Sequence, residues 1–284
     1  MPYATNQNVR IFWDEQGSGS PVLLIMGLSF THQMWFRVLP ELARRHRVIL
    51  FDNRGVGRSD VPAGPYFIRD MARDAVAVMN AAGVSSAQVI GASMGGMIAQ
   101  ELALRCPERV DSLLLGCTSH GGLLARWPCI TPLYRAQSPP ENASLRASFA
   151  PWLYSSSTPR ERVLEDITIQ RACNCPRKGC LNQFAGILLW SSFLRLPRIS
   201  IPTLVTHGAE DRLIPPQNGR VVAGRIPGAK FHLVPNAGHI LTTDQTQICL
   251  DLMVDFLDRH TAHAPLDSGS RSGDARRLPG WGFH

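Results

Sequence analysis

Lysine is scarce in this chain: of its 29 basic residues, only Lys178 and Lys230 are lysines, and the others are arginines. These cations are scattered and form no run of five or more, although the net charge is +7. Nucleic acids and anionic membrane surfaces select dense basic runs or patches. The pattern therefore argues against both classes of partner. The positive net charge also indicates, more weakly, an electrostatic field that favours an acidic substrate.

Long apolar runs are absent as well. No run reaches the ~18 residues of a membrane-spanning helix, and the opening segment MPYATNQNVRIFW lacks the basic region and apolar core of a signal peptide. The seven cysteines are odd in number, and Cys106, Cys117 and Cys249 sit in apolar or helical contexts. We therefore expect reduced thiols in a cytoplasmic protein and no disulfide framework.

The length of 284 residues and the hydrophobic share of 44% suit one α/β domain with an insertion. Short apolar strands alternate with amphipathic helices, which is typical of a mostly parallel, doubly wound sheet with helices on both faces. The predicted strands are 10–14 (at an edge), 22–26, 47–51, 88–90, 110–116, 203–206 and 231–234. The predicted helices of this alternation are 32–45, 68–82, 94–106, 217–225 and 243–259.

Residues 117–197 interrupt this alternation, because they are rich in proline, serine and aromatic residues and show no strand pattern. Their helical patches are 145–154, 159–173 and 181–194. We therefore expect a helical cap at 117–197 over a core made of residues 1–116 and 198–260. Residues 261–284 are rich in glycine, serine, arginine and proline without periodicity, and disorder is expected there.

The segment GASMG, centred on Ser93, carries the strongest chemical signal. A short apolar strand precedes it, and apolar residues at helical spacing follow it. A strand, a sharp turn and a helix form the setting of a nucleophile elbow. Gly91 and Gly95 suit a tight turn, since side chains there would collide with neighbouring backbone. The helix N-terminus directs free N–H groups to the serine, and we predict that Ser93 is a nucleophile.

A nucleophilic serine needs a base that takes its proton and an acid that orients the base. The segment HGAED ends at Asp211 and the segment PNAGH ends at His239, and each follows a late strand. Carboxyl ends of parallel strands meet at one rim of a sheet, where Ser93 is also expected. We predict Asp211 as the acid, in preference to its neighbour Glu210, and His239 as the base.

The other histidines are weaker candidates for the base. His207 and His232 lie inside strand patterns, where packing or local hydrogen bonding accounts for them. His32 and His120 sit in loops on the predicted rim and are candidates for pocket residues.

The oxyanion that forms when a serine attacks a carbonyl group needs at least two preorganised N–H donors. We predict the backbone N–H of Met94, directly after the nucleophile, as one donor. The loop after strand 22–26 should supply the other, and we predict Leu28.

Five ordered motifs in this sequence resemble the α/β-hydrolase superfamily, and in particular its small bacterial esterases, enol-lactonases and cofactor-free haloperoxidase-like members. The motifs are LLIMGLSFTHQMW, VILFDNRGVGRSD, VIGASMGGMIAQELALRCPERV, LVTHGAEDRLIPP and PNAGHI. The resemblance implies an α/β-hydrolase fold with a helical cap. It implies Ser93, Asp211 and His239 as the triad, with Leu28 and Met94 as oxyanion donors. It also implies hydrolysis through an acyl-enzyme without metal or organic cofactor.

The sequence departs from some members of that superfamily. Met26-Gly27 stands where many relatives have His-Gly. Carbon–carbon bond hydrolases often carry Asn before the serine and Trp after the histidine, where this chain has Ala92 and Ile240. We interpret Asp52 and Arg54, in the DNRGVGRSD motif, as structural residues that shape the rim.

The predicted function is that of a serine hydrolase acting on a small carboxylic ester or lactone, with 3-oxoadipate enol-lactone as one acidic candidate. The alternatives are carbon–carbon bond hydrolysis or perhydrolysis on the same triad, and a non-catalytic small-molecule receptor. The expected partner is a small-molecule substrate, and no nucleic-acid or membrane partner is expected. The sequence also allows assembly into a homo-oligomer.

Weaker signals lie in the predicted cap. The segment CNCPRKGC (173–180) holds three thiols, but it lacks clear paired zinc spacing and a fourth ligand, so no metal is predicted. Arg126, Arg171 and Arg177 are expected on the solvated surface in preference to a carboxylate clamp. Aromatic residues such as Trp127 either hold the cap together or line an acyl pocket.

Overall fold

One mixed sheet of eight strands organises the fold of the computed structural model, which describes residues 2–126 and 151–261. The strands are β1 (Tyr3–Asn6), β2 (Val9–Gln16), β3 (Pro21–Ile25), β4 (Arg47–Phe51), β5 (Ala87–Ala92), β6 (Val110–Gly116), β7 (Thr203–Gly208) and β8 (Lys230–Val234). Their order in the sheet is β1-β2-β4-β3-β5-β6-β7-β8. The pairs β1–β2 and β2–β4 are antiparallel and all others are parallel. The central strands are therefore unbroken apolar runs, as burial on both faces requires.

The prediction that the first strand lies at the edge of the sheet is wrong. β2 is the second strand, because β1 pairs outside it with Tyr3 opposite Phe12. β1 has only four residues, too few for a clear alternating pattern.

Helices cover both faces of the sheet. In the described ranges they are α1 (Leu39–Ala43), α2 (Ile68–Ala81), α3 (Met94–Arg105), α4 (Arg160–Ala172), α5 (Arg177–Leu188), α6 (Gln217–Arg225), α7 (Leu241–Asp244) and α8 (Thr246–His260). Short 3₁₀ turns add His32–Trp35, Pro107–Arg109 and Leu196–Arg198. None of the helices described is both long and apolar enough to cross a bilayer.

Alternate strand residues enter two separate apolar layers, because successive side chains of a strand point to opposite faces. Leu113 and Leu115 of β6 pack in the layer under α2, α3 and α6. Leu114 packs in the other layer, together with Trp35 from the turn before α1 and Met253 of α8. The buried layers hold the carboxyl ends of the strands in place at one rim.

Two predicted helices are each divided in the structure. The predicted helix 32–45 is a 3₁₀ turn followed by α1, and Pro40 sits in the first turn of α1. Proline has no N–H and suits only the first turn of a helix, so the chain begins a new helix there. The predicted helix 243–259 is α7 plus α8, separated at Gln245, which has φ −133° and ψ 61°.

α4 and α5 lie between β6 and β7 in the chain, within the region predicted as a cap. The Gln183 side chain of α5 accepts a hydrogen bond from Ser29 N (3.0 Å) and donates one to Arg54 O (2.9 Å). α5 therefore contacts the loops that follow β3 and β4. The division into core, cap and disordered tail stays a prediction, since 127–150 and 262–284 lie outside the described residues.

Candidate active site

Ser93 stands at the turn between β5 and α3 in a strained conformation. Its φ is 56° and its ψ −120°, a region that L-residues rarely adopt and that marks functional turns. A Cβ on Gly91 would overlap the backbone of Gly95, and a Cβ on Gly95 would overlap Ile25 O. Both glycines therefore permit the close approach that presents Ser93 at the rim.

Hydrogen bonds from β6 and the loop after it hold the main chain of Ser93. Ser93 N donates to Gly116 O (2.8 Å), and Thr118 Oγ1 donates to Ser93 O (2.7 Å). A Cβ on Gly96 would lie 2.6 Å from Thr118 Cβ, so the first turn of α3 packs tightly on this threonine. The tertiary packing thereby maintains the positive φ of Ser93.

Asp211 and His239, the predicted acid and base, are hydrogen-bonded to each other. His239 Nδ1 donates to Asp211 Oδ2 at 2.8 Å, and both residues are buried. Asp211 Oδ1 accepts from the backbone N–H groups of Leu213 (3.0 Å) and Ile214 (2.8 Å). The carboxylate therefore fixes the Nδ1–H tautomer of His239 and leaves Nε2 for proton transfer.

The surroundings keep Asp211 ionised. Burial by itself would raise the pKa of Asp211, but the charge of His239 and hydrogen bonds from His207 and His239 outweigh burial and lower the pKa. Asp211 is consequently a carboxylate at neutral pH, able to stabilise a protonated His239.

The neighbouring acid, Glu210, points to a different part of the chain. Glu210 Oε2 accepts from Ser155 Oγ (2.9 Å) and Ser156 N (3.2 Å). Only Asp211 of these two acids is bonded to His239, which agrees with the predicted choice between them.

His207, for which local hydrogen bonding or packing was the expectation, bonds locally and contacts Asp211. Its Nε2 donates to Ile214 O (2.7 Å) and lies 3.3 Å from Asp211 Oδ2, and the side chain is fully buried. A histidine at the end of a strand and four residues before the predicted acid is a signal that could have indicated this role. His207 thus contacts both Asp211 and the loop that follows it.

Cys117, His207 and Asp211 have ligand atoms within 4.8 Å of one another, the one such group of three metal-capable side chains in the described residues. Hydrogen bonds already engage His207 Nε2 and both oxygens of Asp211. Burial raises the pKa of the Cys117 thiol well above its ordinary value, and a neutral thiol is a poor ligand. These three side chains are therefore better suited to holding Asp211 in place than to binding a metal ion.

The two predicted oxyanion donors are Met94, directly after Ser93, and Leu28, in the loop after β3. A Cβ on Gly27 would lie 3.0 Å from Ser93 Cβ, so the loop that contains Leu28 packs directly on the serine. Asn53 Nδ2 donates to Met26 O (2.8 Å), which anchors this loop. Within residues 2–126 and 151–261, the N–H groups of Leu28 and Met94 donate to no protein acceptor. Both groups are therefore free to bind an oxyanion.

Ser93 and His239 line the same cavity, whose space of about 730 Å³ includes open solvent at its mouth. No hydrogen bond joins Ser93 Oγ to His239 among the described residues. Catalytic hydrogen bonds are often long before substrate binds and shorten in the substrate complex. The structure thus brings the three predicted residues to one rim, with the Asp211–His239 pair already bonded.

The loop of His239 is held by contacts that the sequence does not reveal. Leu153 O accepts from His239 N (2.7 Å) and Ile240 N (2.9 Å). Asp244 Oδ2 accepts from Gly238 N (2.6 Å). No sequence signal could have identified a backbone carbonyl so distant along the chain as the support of the base.

Other predicted candidates have local roles. His32 Nδ1 is 2.7 Å from Asp52 Oδ1, and His120 Nδ1 is 2.9 Å from Gly121 O. Neither histidine is among the described residues that line the cavity. The thiols of Cys173 and Cys175 contact the rim loop after β3, at Thr31 Oγ1 (2.9 Å) and Ser29 O (3.0 Å). Trp127 lies outside the described residues.

A family model described as alpha/beta hydrolase fold matches residues 20–128 and 152–244. The chain is 34% identical over 261 residues to RutD of Azorhizobium caulinodans, provisionally named a carbamate hydrolase, and the match covers 90% of this chain and 98% of that protein.

Two further proteins are similar over most of their length. Identity is 30% over 271 residues with 2-hydroxymuconate semialdehyde hydrolase of Pseudomonas sp. strain CF600, covering 90% of this chain and 93% of that protein. The solved structure of Est816, described as an N-acyl homoserine lactone degrading enzyme, aligns with a TM-score of 0.76 and 29% identity. That alignment covers 90% of this chain and all of the other.

Proposed function

The chain belongs to the α/β-hydrolase fold family, and from that premise we propose that it hydrolyses a carboxylic ester or lactone through an acyl-enzyme on Ser93. The family match and the mostly parallel eight-stranded sheet confirm the fold that the motifs implied. Family membership shows the fold and supports a hydrolase; the substrate class and the residue roles are our proposal.

In the proposed mechanism Ser93 Oγ attacks the carbonyl carbon while His239 Nε2 takes its proton. Asp211 holds the imidazole through Nδ1–H and stabilises its protonated form. The N–H groups of Leu28 and Met94 bind the oxyanion of the tetrahedral intermediate. His239 then protonates the departing alkoxide, and a water molecule, deprotonated by His239, attacks the acyl-enzyme and releases the acid.

The observation that carries this proposal is the buried hydrogen bond of 2.8 Å between Asp211 and His239, in a cavity that Ser93 also lines. A buried histidine bonded to a carboxylate is the arrangement that a general base needs. The positive φ of Ser93 at a strand–helix turn supports the proposal independently. The likeness to a lactone-degrading enzyme supports the choice of ester or lactone chemistry.

The test is a Ser93→Ala variant of the full chain. We expect kcat for p-nitrophenyl acetate and a simple lactone to fall by roughly 10⁵-fold or more, because the variant lacks the oxygen that carries the acyl group in the proposed mechanism. A fluorophosphonate probe should label the unsubstituted protein and not the variant. Retained esterase activity in the variant would refute the role of Ser93. Absence of labelling in the unsubstituted protein would favour a non-catalytic receptor.

Carbon–carbon bond hydrolysis is a second candidate, favoured by the 30% identity with 2-hydroxymuconate semialdehyde hydrolase. Ala92 and Ile240 occupy the positions where such enzymes often carry Asn and Trp, which weakens this candidate. A comparison of kcat/KM for a vinylogous diketone and for a lactone separates the two. A higher value for the diketone would overturn the ester and lactone proposal.

A further inference from the structure

The cavity at Ser93 is continuous with the face of the sheet that α8 covers. Ile90 of β5 and Leu114 of β6 line it, and both belong to the apolar layer that contains Met253 of α8. Met253 and Leu252 complete the lining from the α8 side. The empty space therefore lies between the sheet and α8 as well as above the serine.

Small residues create this space. Leu114 and Gly116 are two positions apart on β6, so a side chain at 116 would share the face of Leu114. A Cβ on Gly116 would lie 3.7 Å from Thr206 Oγ1 and 3.9 Å from Gly91 O, which are ordinary contacts. The φ of Gly116 is not positive. Neither backbone conformation nor close packing requires glycine here, and its effect is to leave the cavity open.

The described lining is mostly apolar, and its polar side chains are the imidazole of His239, the hydroxyls of Ser93, Thr206 and Thr242 and the thiols of Cys117 and Cys249. None of the described residues that line the cavity is an arginine or lysine. Three of the lining side chains, Ile90, Leu114 and Met253, are themselves buried. A carboxylate placed among them would lose its hydration without gaining a cation, whereas burial of an alkyl chain there is favourable.

We infer that this cavity is an acyl-chain channel, and that the substrate is an ester or lactone whose acyl part is an apolar chain reaching from Ser93 toward Met253. The inference rests on the proposed function, since the acyl group must be attached to Ser93. This substrate class replaces the acidic enol-lactone that the net charge suggested. The described lining residues include no cation that could pair with a second carboxylate. Gly116 and Met253 are then specificity-determining residues.

The first test narrows the channel with Gly116→Ala and Gly116→Val. The readout is kcat/KM for p-nitrophenyl acetate, butyrate, octanoate and laurate. We expect the unsubstituted protein to prefer a chain longer than acetate. The octanoate-to-acetate ratio should fall roughly tenfold or more in Gly116→Val, with Gly116→Ala between, because each methyl group removes room for the chain.

Gly224→Val is the matched control. A Cβ on Gly224 of α6 would meet no atom within 4 Å, and Gly224 is not among the residues lining the cavity. The same glycine-to-valine change should therefore leave the octanoate-to-acetate ratio unchanged.

The second test enlarges the channel with Met253→Ala, which truncates a lining side chain on the α8 side. We expect the laurate-to-octanoate ratio of kcat/KM to rise by roughly tenfold. Opposite shifts from Gly116→Val and Met253→Ala would not arise from a general loss of stability.

Fluorophosphonate labelling separates failure of the channel from failure of the proposed function. Suppose that the probe labels the protein but that the variants at Gly116 and Met253 leave the dependence of kcat/KM on chain length unchanged. That result would overturn the channel assignment and leave the proposed hydrolase function standing. Labelled protein that prefers a dicarboxylic ester over octanoate would do the same. Absence of labelling together with absence of ester hydrolysis would overturn both.

Discussion

Asp211 and Glu210 are adjacent carboxylates with different surroundings. Asp211 is buried between His239 and the N–H groups of the following loop, whereas Glu210 is bonded to two serines near the start of α4. Because the two acids are adjacent in the sequence, their position alone would allow either one to orient His239. The direction of each side chain at the end of β7 decides between them.

Substitution of the two acids should therefore have unequal effects on catalysis. Asp211→Asn keeps the shape of the side chain but removes the charge that stabilises protonated His239 and selects its tautomer. We expect kcat for p-nitrophenyl acetate to fall by about 10⁴-fold. Glu210→Gln is the matched control, and its kcat should stay within about threefold, since Glu210 bonds Ser155 and Ser156 and the oxygen of a glutamine amide can still accept from them. A larger loss in Glu210→Gln than in Asp211→Asn would reverse the assignment.

At the scale of single elements, α3 joins the nucleophile to the segment before β7. Its first residue follows Ser93, and its second half carries Glu101, a buried acid. Glu101 Oε2 accepts from Trp190 Nε1 (2.8 Å) and Arg195 Nη2 (2.8 Å). The segment that returns the chain to the sheet is thus fixed to the helix that positions the serine.

The charge of Glu101 should contribute stability that depends on pH. Burial by itself would raise its pKa, but hydrogen bonds from Arg195, Trp190 and Arg105 outweigh burial and lower the pKa. An acid with a lowered folded pKa stabilises the fold above its ordinary value of about 4.3, and this stabilisation is lost as the pH falls below that value.

We therefore expect Glu101→Gln to lower the free energy of unfolding by about 2 kcal/mol near neutral pH. The difference from the unsubstituted protein should stay constant down to about pH 5 and shrink below about pH 4.3. Urea unfolding at a series of pH values measures it. Glu108→Gln, at an exposed position of the turn after α3, is the control and should show no such dependence. A difference for Glu101→Gln that grows as the pH falls would contradict the sign of the shift.

At the scale of the whole molecule, Asp166 of α4 connects three distant parts of the chain. It accepts hydrogen bonds from Arg37 Nη2 (3.0 Å), Tyr154 OH (3.0 Å) and Thr243 Oγ1 (2.6 Å). Burial, and then the charge of Asp166, raise the pKa of Tyr154, so its hydroxyl stays protonated and donates. These contacts tie α4 to the residues before α1 and to α7, which follows His239.

Loss of this connection should destabilise the molecule. We expect Asp166→Asn to lower the free energy of unfolding by about 3 kcal/mol, because it leaves Arg37 without a buried counter-charge. Glu165→Gln is a matched control on the same helix: Glu165 also bonds Arg37 (2.8 Å), but its side chain is 54% exposed. An exposed pair contributes about 0–1 kcal/mol, so the control should change little. If the two substitutions lowered the free energy of unfolding in urea equally, the buried contacts of Asp166 would contribute no more than the exposed Glu165 pair.

The sequence by itself determined the features that depend on neighbouring residues. The apolar strands β4 and β6, the helix α6 and the strand–turn–helix around Ser93 were predictable, because each pattern is local. The family motifs and their order were equally readable, and the fold they implied is confirmed. The residue roles in the triad stay predictions that the geometry supports.

Tertiary structure alone decided the rest, because it depends on residues far apart in the chain. The carbonyl of Leu153 holds the loop of His239, and His207 supports Asp211. The room left by Gly116 becomes a cavity only because α8 packs over the sheet at that point. Local propensity is set by a residue and its neighbours, whereas pocket shape is set by which distant side chains meet, and so the channel that we assign to the acyl chain has no signature in the sequence.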